Sequence, residues 1–203
     1  MRKGIKRCII CLLLAVSVWS IMLLRDRKTL NEELIRLHVV GASDSEEDQT
    51  IKLQVKNAIV ESLQTELKNA ADPEQAKDYL QENLPKIERF ANQALAQLGC
   101  DKTVSVSLTK EAFGTRYYDT FTLPAGVYEA LRINIGEAEG RNWWCVVFPS
   151  LCMSATTSEF EHVAAGAGFS EELIQTLESE QGYEVRFFLL DMLGRVENIF
   201  FQG

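Results

Sequence analysis

The chain has 203 residues, of which 46% are hydrophobic and 25% charged, and its net charge is −8 at pH 7. That length suits one buried core, and the acidic excess argues against nucleic acid as a partner because phosphates repel it. Two histidines and no C-x-x-C outside an apolar run exclude an ordinary zinc site, and glycine-rich phosphate loops are absent. We therefore expect no metal and no cofactor.

The N-terminus has the pattern of an export signal or a membrane anchor. Four cations lie in residues 1–7, the seventeen residues Cys8–Leu24 are uncharged and mainly apolar, and cations return in residues 25–28. Such a run is at the short limit for crossing a bilayer. An Ala-x-Ser site at Ala15–Ser17 would allow cleavage, and an uncleaved signal-anchor is equally consistent with the sequence.

This pattern predicts two parts, a targeting segment (residues 1–28) and a single extracytoplasmic domain (residues 29–203). The second part holds 14 basic and 28 acidic residues, so it should also avoid anionic lipid surfaces. We expect membrane contact through residues 8–24 only.

A strand and a helix are predicted to open the domain. Alternating apolar residues in 34–40 predict the strand, with Arg36 and His38 on one face. Capping-box spacing at Ser43/Glu46 and at Asp44/Glu47 predicts the start of the helix, which should end near Asn69.

A second helix and three strands follow. Asp72 before Pro73 predicts the helix start, and the helix should reach Gly99 with a break or kink at Pro85. The apolar period then changes to two, which predicts an antiparallel meander. Its strands are residues 104–108, 127–135 and 142–148.

The last part of the chain is predicted to be mainly helical. Small and polar residues after Ser154 indicate a loop, Ser170 begins a helix, and apolar residues from Val185 to Phe200 recur at helical spacing. The predicted fold class is α+β: a strand, long helices, a meander and C-terminal helices, preceded by the membrane or signal segment.

One group of polar residues could form a site. Arg36 and His38 share a strand face, and Ser43, Asp44 and Asp48 follow where the strand meets a helix start, whose free N–H groups favour anions. A binding site, an enzyme site with His38 as a base, and a merely capped helix with an Arg–Asp pair are all consistent with this arrangement.

The segment NWWCVVFPSLC, residues 142–152, carries two further features. Trp143 and Trp144 must point to opposite faces of a strand, so one can be core while the other meets solvent or a partner. If residues 147–150 form a four-residue hairpin loop, Cys145 faces Cys152 across two strands, which would allow a disulfide in an oxidising compartment.

Three segments resemble the stage II sporulation protein R family. They are LIRLHVVGASDSEEDQTIKLQVKNAIV (residues 34–60), LPAGVYEALRINIGEAEG (123–140) and NWWCVVFPSLC (142–152). The resemblance implies a protein exported from the forespore into the intermembrane space. There it would activate a membrane-embedded aspartic protease that cleaves pro-sigma-E for the mother cell.

On this reading the protein is a signal and not an enzyme. An exposed tryptophan, with Phe148, would be the apolar anchor for the protease, and the polar residues would orient it. The candidate binding residues are Arg36, His38, Ser43, Asp44, Asp48, Trp143, Trp144 and Phe148. The alternative is an envelope enzyme that acts on peptidoglycan fragments through Arg36, His38 and Asp48.

Overall fold

The computed structural model describes residues 2–67, 69–152, 157–178 and 185–202, which form helices on both sides of a sheet. The helices are α1 Arg2–Glu33, α2 Glu46–Leu67, α3 Pro73–Gln97, α4 Thr157–Gly166, α5 Glu171–Glu178 and α6 Val185–Gln202. The strands are β1 Ile35–Val40, β2 Val104–Phe113, β3 Arg116–Tyr117, β4 Thr122–Leu123, β5 Gly126–Ile135 and β6 Asn142–Phe148. The α+β class is confirmed.

The first strand of the domain lies inside the main sheet, whose order is β2-β5-β1-β6. β1 runs parallel to β5 and antiparallel to β6, so the sheet is mixed. β2 and β5 pair antiparallel as predicted, but β1 separates β5 from β6, and the three later strands are not a continuous meander. All six residues of β1 are buried, as expected for a strand with neighbours at both edges and cover on both faces.

Helices pack on both faces of the sheet. α2 and α3 cover one face, where Leu37 and Val39 of β1 and Leu131 and Ile133 of β5 are fully buried. The end of α1 joins α4, α5 and α6 on the opposite face, around a second apolar cluster. Burial of apolar surface on both faces is the main source of stability for such a layered domain.

The first two domain helices differ from prediction in detail. α2 is capped by Ser45, whose Oγ accepts the N–H of Asp48 at 3.1 Å. This cap lies one residue after the predicted Asp44/Glu47 box and two residues after the Ser43/Glu46 box. α3 starts as predicted, with Asp72 accepting the N–H of Gln75 at 2.8 Å. It continues unbroken through Pro85, because the carbonyl that loses its partner belongs to exposed Gln81 and can bond to water.

The segment after Ser154 contains a helix where the sequence predicted a loop. α4 buries Phe160 and Ala164 completely, one helical turn apart. A single apolar stripe this short is hard to recognise among small residues. α5 begins as predicted, with Ser170 Oγ accepting the N–H of Leu173 at 3.2 Å.

The C-terminal third of α1 belongs to the domain. Leu23 and Leu30 are buried in the second apolar cluster. Asp26 accepts two hydrogen bonds from Arg186 of α6, and Arg27 pairs with Glu197 of the same helix at 2.5 Å. The part of α1 from Leu23 onward therefore packs against the domain, and the boundary at residue 28 stays a prediction.

Truncation tests this boundary. Deleting residues 1–28 should lower the free energy of unfolding by about 3–5 kcal/mol relative to deleting residues 1–22. The longer deletion exposes the site of Leu23, about 2 kcal/mol, and removes the Asp26 partner of Arg186 and the Arg27 partner of Glu197, about 1–3 kcal/mol. Urea unfolding followed by circular dichroism measures this difference in stability. Equal stability of the two deletions would support a domain boundary at residue 28.

Candidate functional site

Arg36 lies inside the domain and cannot contact a partner. Its side chain is completely buried, and Nη2 donates to the Tyr118 hydroxyl at 2.9 Å. The guanidinium carbon lies 4.3 Å from the ring centroid of Phe113 and 5.1 Å from that of Tyr128. The predicted Arg–Asp pair is absent among the described residues, and aromatic rings surround the cation instead.

His38 shares the strand face of Arg36, as predicted, but has different neighbours. Nδ1 lies 2.6 Å from a carboxylate oxygen of Glu111, and Nε2 lies 3.0 Å from the side-chain oxygen of Asn142. The imidazole also stacks on the Trp144 ring, with 5.8 Å between centroids. Both ring nitrogens are therefore engaged by neighbouring side chains.

Glu111 reaches across β5 to His38 and is the central carboxylate of this face. Its second oxygen lies 3.4 Å from a guanidinium nitrogen of Arg132. Burial raises the pKa of Glu111, but the hydrogen bond and charge of His38, together with Arg132, outweigh burial and hold the pKa below its usual value. A polar row thus crosses the sheet from β2 to β6.

The three polar residues at the start of α2 form a separate cluster. Asp48 pairs with Lys102 and accepts a hydrogen bond from Ser43 at 2.5 Å, and these contacts lower the pKa of Asp48. Asp44 accepts the backbone N–H of Arg141 at 2.6 Å. Because these partners differ from those of Arg36 and His38, the predicted group is divided into three places.

The two tryptophans point to opposite faces, as predicted. Trp143 packs beside α2, where the Lys56 ammonium lies 4.4 Å from its ring centroid. Trp144 lies on the other face, where the guanidinium carbon of Arg116 is 3.5 Å from its ring centroid. Phe148 packs on the side of Trp143, so it cannot form one contact surface with Trp144.

A groove lies along the free edge of β6. It is a cavity of about 340 Å³ between residues 116–121 on one side and residues 142–145, Leu151 and Cys152 on the other. We call it the β6 groove. It presents the Trp144 ring and the Arg116 side chain, whose buried Nε has no hydrogen-bond partner among the described residues.

Within the part of the chain that the structure describes, the main chain of β6 has unpaired groups on this side. The Arg141 carbonyl points toward β1, since it accepts a hydrogen bond from the N–H of Gly41, the residue that follows β1. The Val146 carbonyl points the other way and accepts a hydrogen bond from the N–H of Leu151, beyond the end of β6. Successive residues of a strand direct their N–H and C=O groups toward opposite edges. The N–H and C=O of Trp144 therefore point away from β1 and into the groove. The opposite sheet edge is covered at the start of β2, where Asn92 and Glu88 of α3 accept the N–H groups of Val104 and Val106.

The two cysteines of this segment lie close together as free thiols. Among the described residues no second strand follows β6; instead the chain turns back, and the Cys152 Sγ lies 3.0 Å from the Val146 carbonyl oxygen. The predicted strand-to-strand opposition of Cys145 and Cys152 is therefore wrong. Burial, and the hydrogen bond with Cys145, raise the pKa of the Cys152 thiol. Their pairing under oxidising conditions stays a prediction.

Comparison with known proteins identifies the family. Residues 31–158 match the family model for stage II sporulation protein R. The stage II sporulation protein R of Bacillus subtilis (strain 168) is 31% identical over 180 residues, which are 80% of each chain. The chain belongs to the stage II sporulation protein R family. No solved structure matches it.

Family membership gives the protein a role in sporulation. The matched part of the stage II sporulation protein R family model spans all six strands and ends at the start of α4, so it contains the polar row and the β6 groove. Residues 1–30, α5 and α6 lie outside it.

Sequence reasoning missed several residues of this face: Glu111, Arg116, Tyr118 and Arg132. A usable signal was the alternation in β2, where Ser105, Ser107, Thr109 and Glu111 form a polar face opposite Val104, Val106 and Leu108. A strand with one continuous polar face indicates an uncovered part of a sheet.

The Glu111 contacts predict a pH-dependent stability. Glu111→Gln should lower the free energy of unfolding at pH 7 by about 1–3 kcal/mol, because a partly buried charged hydrogen bond is lost. A carboxylate with a lowered folded pKa stabilises above its unfolded pKa of about 4.3, and this stabilisation disappears as pH falls through the folded pKa. The difference in the free energy of unfolding between the wild type and the variant should therefore become smaller below about pH 4.3.

Urea unfolding at a series of pH values measures that difference. Glu82→Gln, on the exposed surface of α3, is the matched control and should leave stability nearly unchanged. A loss of stability in Glu111→Gln that stays the same down to acid pH would contradict a lowered pKa of Glu111 in the folded protein.

Proposed function

We propose that this protein is an exported sporulation signal that activates a membrane-embedded aspartic protease, which then cleaves pro-sigma-E in the mother cell. Family membership supports the sporulation role. α1 is long and apolar enough to cross a membrane by length and composition, and its apolar part is almost entirely exposed. That helix is compatible with a signal segment or an anchor that places the domain in the intermembrane space.

The observation that carries the proposal is the open edge of β6 beside the β6 groove. An extended segment of the protease could pair with the main chain of Trp144 and thereby add a strand to the sheet. The Trp144 ring offers a large apolar contact, and the half-buried Arg116 side chain beside it offers a positive charge for a carbonyl or a carboxylate. A short acidic or polar stretch in extended conformation is therefore the expected ligand.

Activation requires that the protease segment be extended mainly in the active state. A signal that bound both states equally would shift no population, however tightly it bound. Strand addition meets this requirement, because only a segment released from its inactive position can lie along β6.

The same contacts do not favour the alternative of an envelope enzyme at Arg36, His38 and Asp48. Arg36 is buried, both ring nitrogens of His38 are engaged, and Asp48 is paired with Lys102. A general base needs a nitrogen that can reach the substrate proton.

Reconstitution in a non-sporulating bacterial host tests the proposal. The protease and pro-sigma-E are co-expressed with the full chain or with a form that lacks residues 1–22, and cleavage of the precursor is followed by immunoblot. We expect cleavage only with the full, exported chain. Cleavage by the truncated form in the cytoplasm, or none with the folded, exported chain, would contradict the proposal.

Two tryptophan variants locate the contact in the same assay. Trp144→Ala should reduce cleavage by at least about tenfold, as expected when an interface anchor worth about 2 kcal/mol or more is removed. Trp143→Ala is the matched control, since this ring packs beside α2 and should leave activation intact if the variant folds. Equal effects of the two variants, with both domains folded, would remove the β6 groove from the mechanism.

A further inference from the structure

α6 has an unusually apolar outer face. Its inner face carries Phe187, Leu190 and Gly194, and Gly194 lies so close to the Ala125 carbonyl that a side chain would collide with it. The outer side chains recur every three or four residues and are 43% to 69% exposed; they are Val185, Phe188, Met192, Val196 and Ile199. The helical stripe that the sequence predicted thus lies largely outside the domain core.

The charges of α6 leave this outer face free of exposed carboxylates among the described residues. Asp191 accepts the N–H of Ala125 at 2.7 Å, and Glu197 pairs with Arg27. Arg195 is the exposed charge beside the stripe, and it bonds to Asp191 at 2.7 Å. The local surface therefore lacks the repulsion toward anionic lipids that the acidic composition of the domain predicts.

α6 contacts α1 through charged and polar side chains at two places along its length. Arg186 contacts Asp26, and Glu197 contacts Arg27 and Asn31. These contacts span roughly 16 Å along α6 but only about 7 Å along α1, at a rise of 1.5 Å per residue. If α1 crosses a membrane, α6 therefore lies close to the membrane plane.

The contacts also fix the depth of α6. The apolar run of α1 ends at Leu24, and α6 touches α1 between Asp26 and Asn31, which is roughly 3–10 Å farther along the helix. The headgroup layer on each side of a bilayer is about 5–8 Å thick. α6 thus lies at the level of the headgroups, where an exposed apolar face can enter the boundary with the acyl chains.

We propose that α6 is an interfacial helix whose outer face rests in the same membrane surface that α1 enters. Lipid is the occupant that fits, because Arg186, at the start of α6, pairs with Asp26, only two residues beyond the exposed apolar run of α1. The proposal goes beyond the activation of a protease and does not depend on it. It extends the expected membrane contact beyond residues 8–24 and orients the domain relative to the bilayer.

Photo-crosslinking of the full chain in lipid vesicles tests this proposal. Phe188→p-benzoylphenylalanine replaces one exposed aromatic side chain with a photoreactive one, so the fold should be retained. The vesicles contain equal parts of phosphatidylethanolamine and phosphatidylglycerol. Phe90→p-benzoylphenylalanine is the matched control, because Phe90 is 38% exposed on α3, across the sheet from α6.

We expect lipid adducts at position 188 and none at position 90 after irradiation, read by intact-protein mass spectrometry. A covalent dimer at position 188 without lipid adducts would assign the face to a second copy and overturn the proposal. Equal lipid labelling at both positions, or none at either in vesicle-embedded protein, would overturn it as well.

Discussion

β1 is a buried strand that needs hydrogen-bonding partners on both edges and apolar cover on both faces. The positions of the neighbouring strands and helices meet this requirement. Its residues are all buried, with β5 on one side and β6 on the other. Because β1 follows α1 almost without a linker, the sheet centre is tied directly to the helix that is apolar enough to enter a membrane. Leu23 and Leu30 of α1 pack in the second apolar cluster, and His38 lies between β5 and β6, in keeping with this placement.

The insertion of β1 also makes β6 an edge strand. At the other edge, the outward N–H groups of Val104 and Val106, at the start of β2, are satisfied by side chains from α3. In β6 the Val146 carbonyl accepts a hydrogen bond from Leu151, whereas Trp144 faces the β6 groove with no main-chain partner among the described residues. An uncovered edge is a hazard in a soluble protein unless it has a partner. This asymmetry supports strand addition as the mode of receptor binding.

Much of the fold could be predicted from local pattern. Alternation placed β1, β5 and β6, and the Asp72-Pro73 signal placed the start of α3. The neighbours of each strand could not be predicted, because pairing between β1 and β5 joins residues about ninety positions apart and leaves no local mark. The same limit applies to the site. Arg36 and His38 were correctly put on one face, but the side chains that bury or engage them come from β2, β5, β6 and the segment around β3 and β4.

Amide hydrogen exchange of β6 tests the central claim most directly. In the free protein, the N–H of Trp144 should exchange much faster than those of Trp143 and Cys145, which point toward β1. Adding the extracytoplasmic part of the protease should slow the Trp144 amide selectively. A Trp144 amide that is already as protected as its neighbours, or one that the protease leaves unchanged, would contradict an open edge that serves as the receptor site.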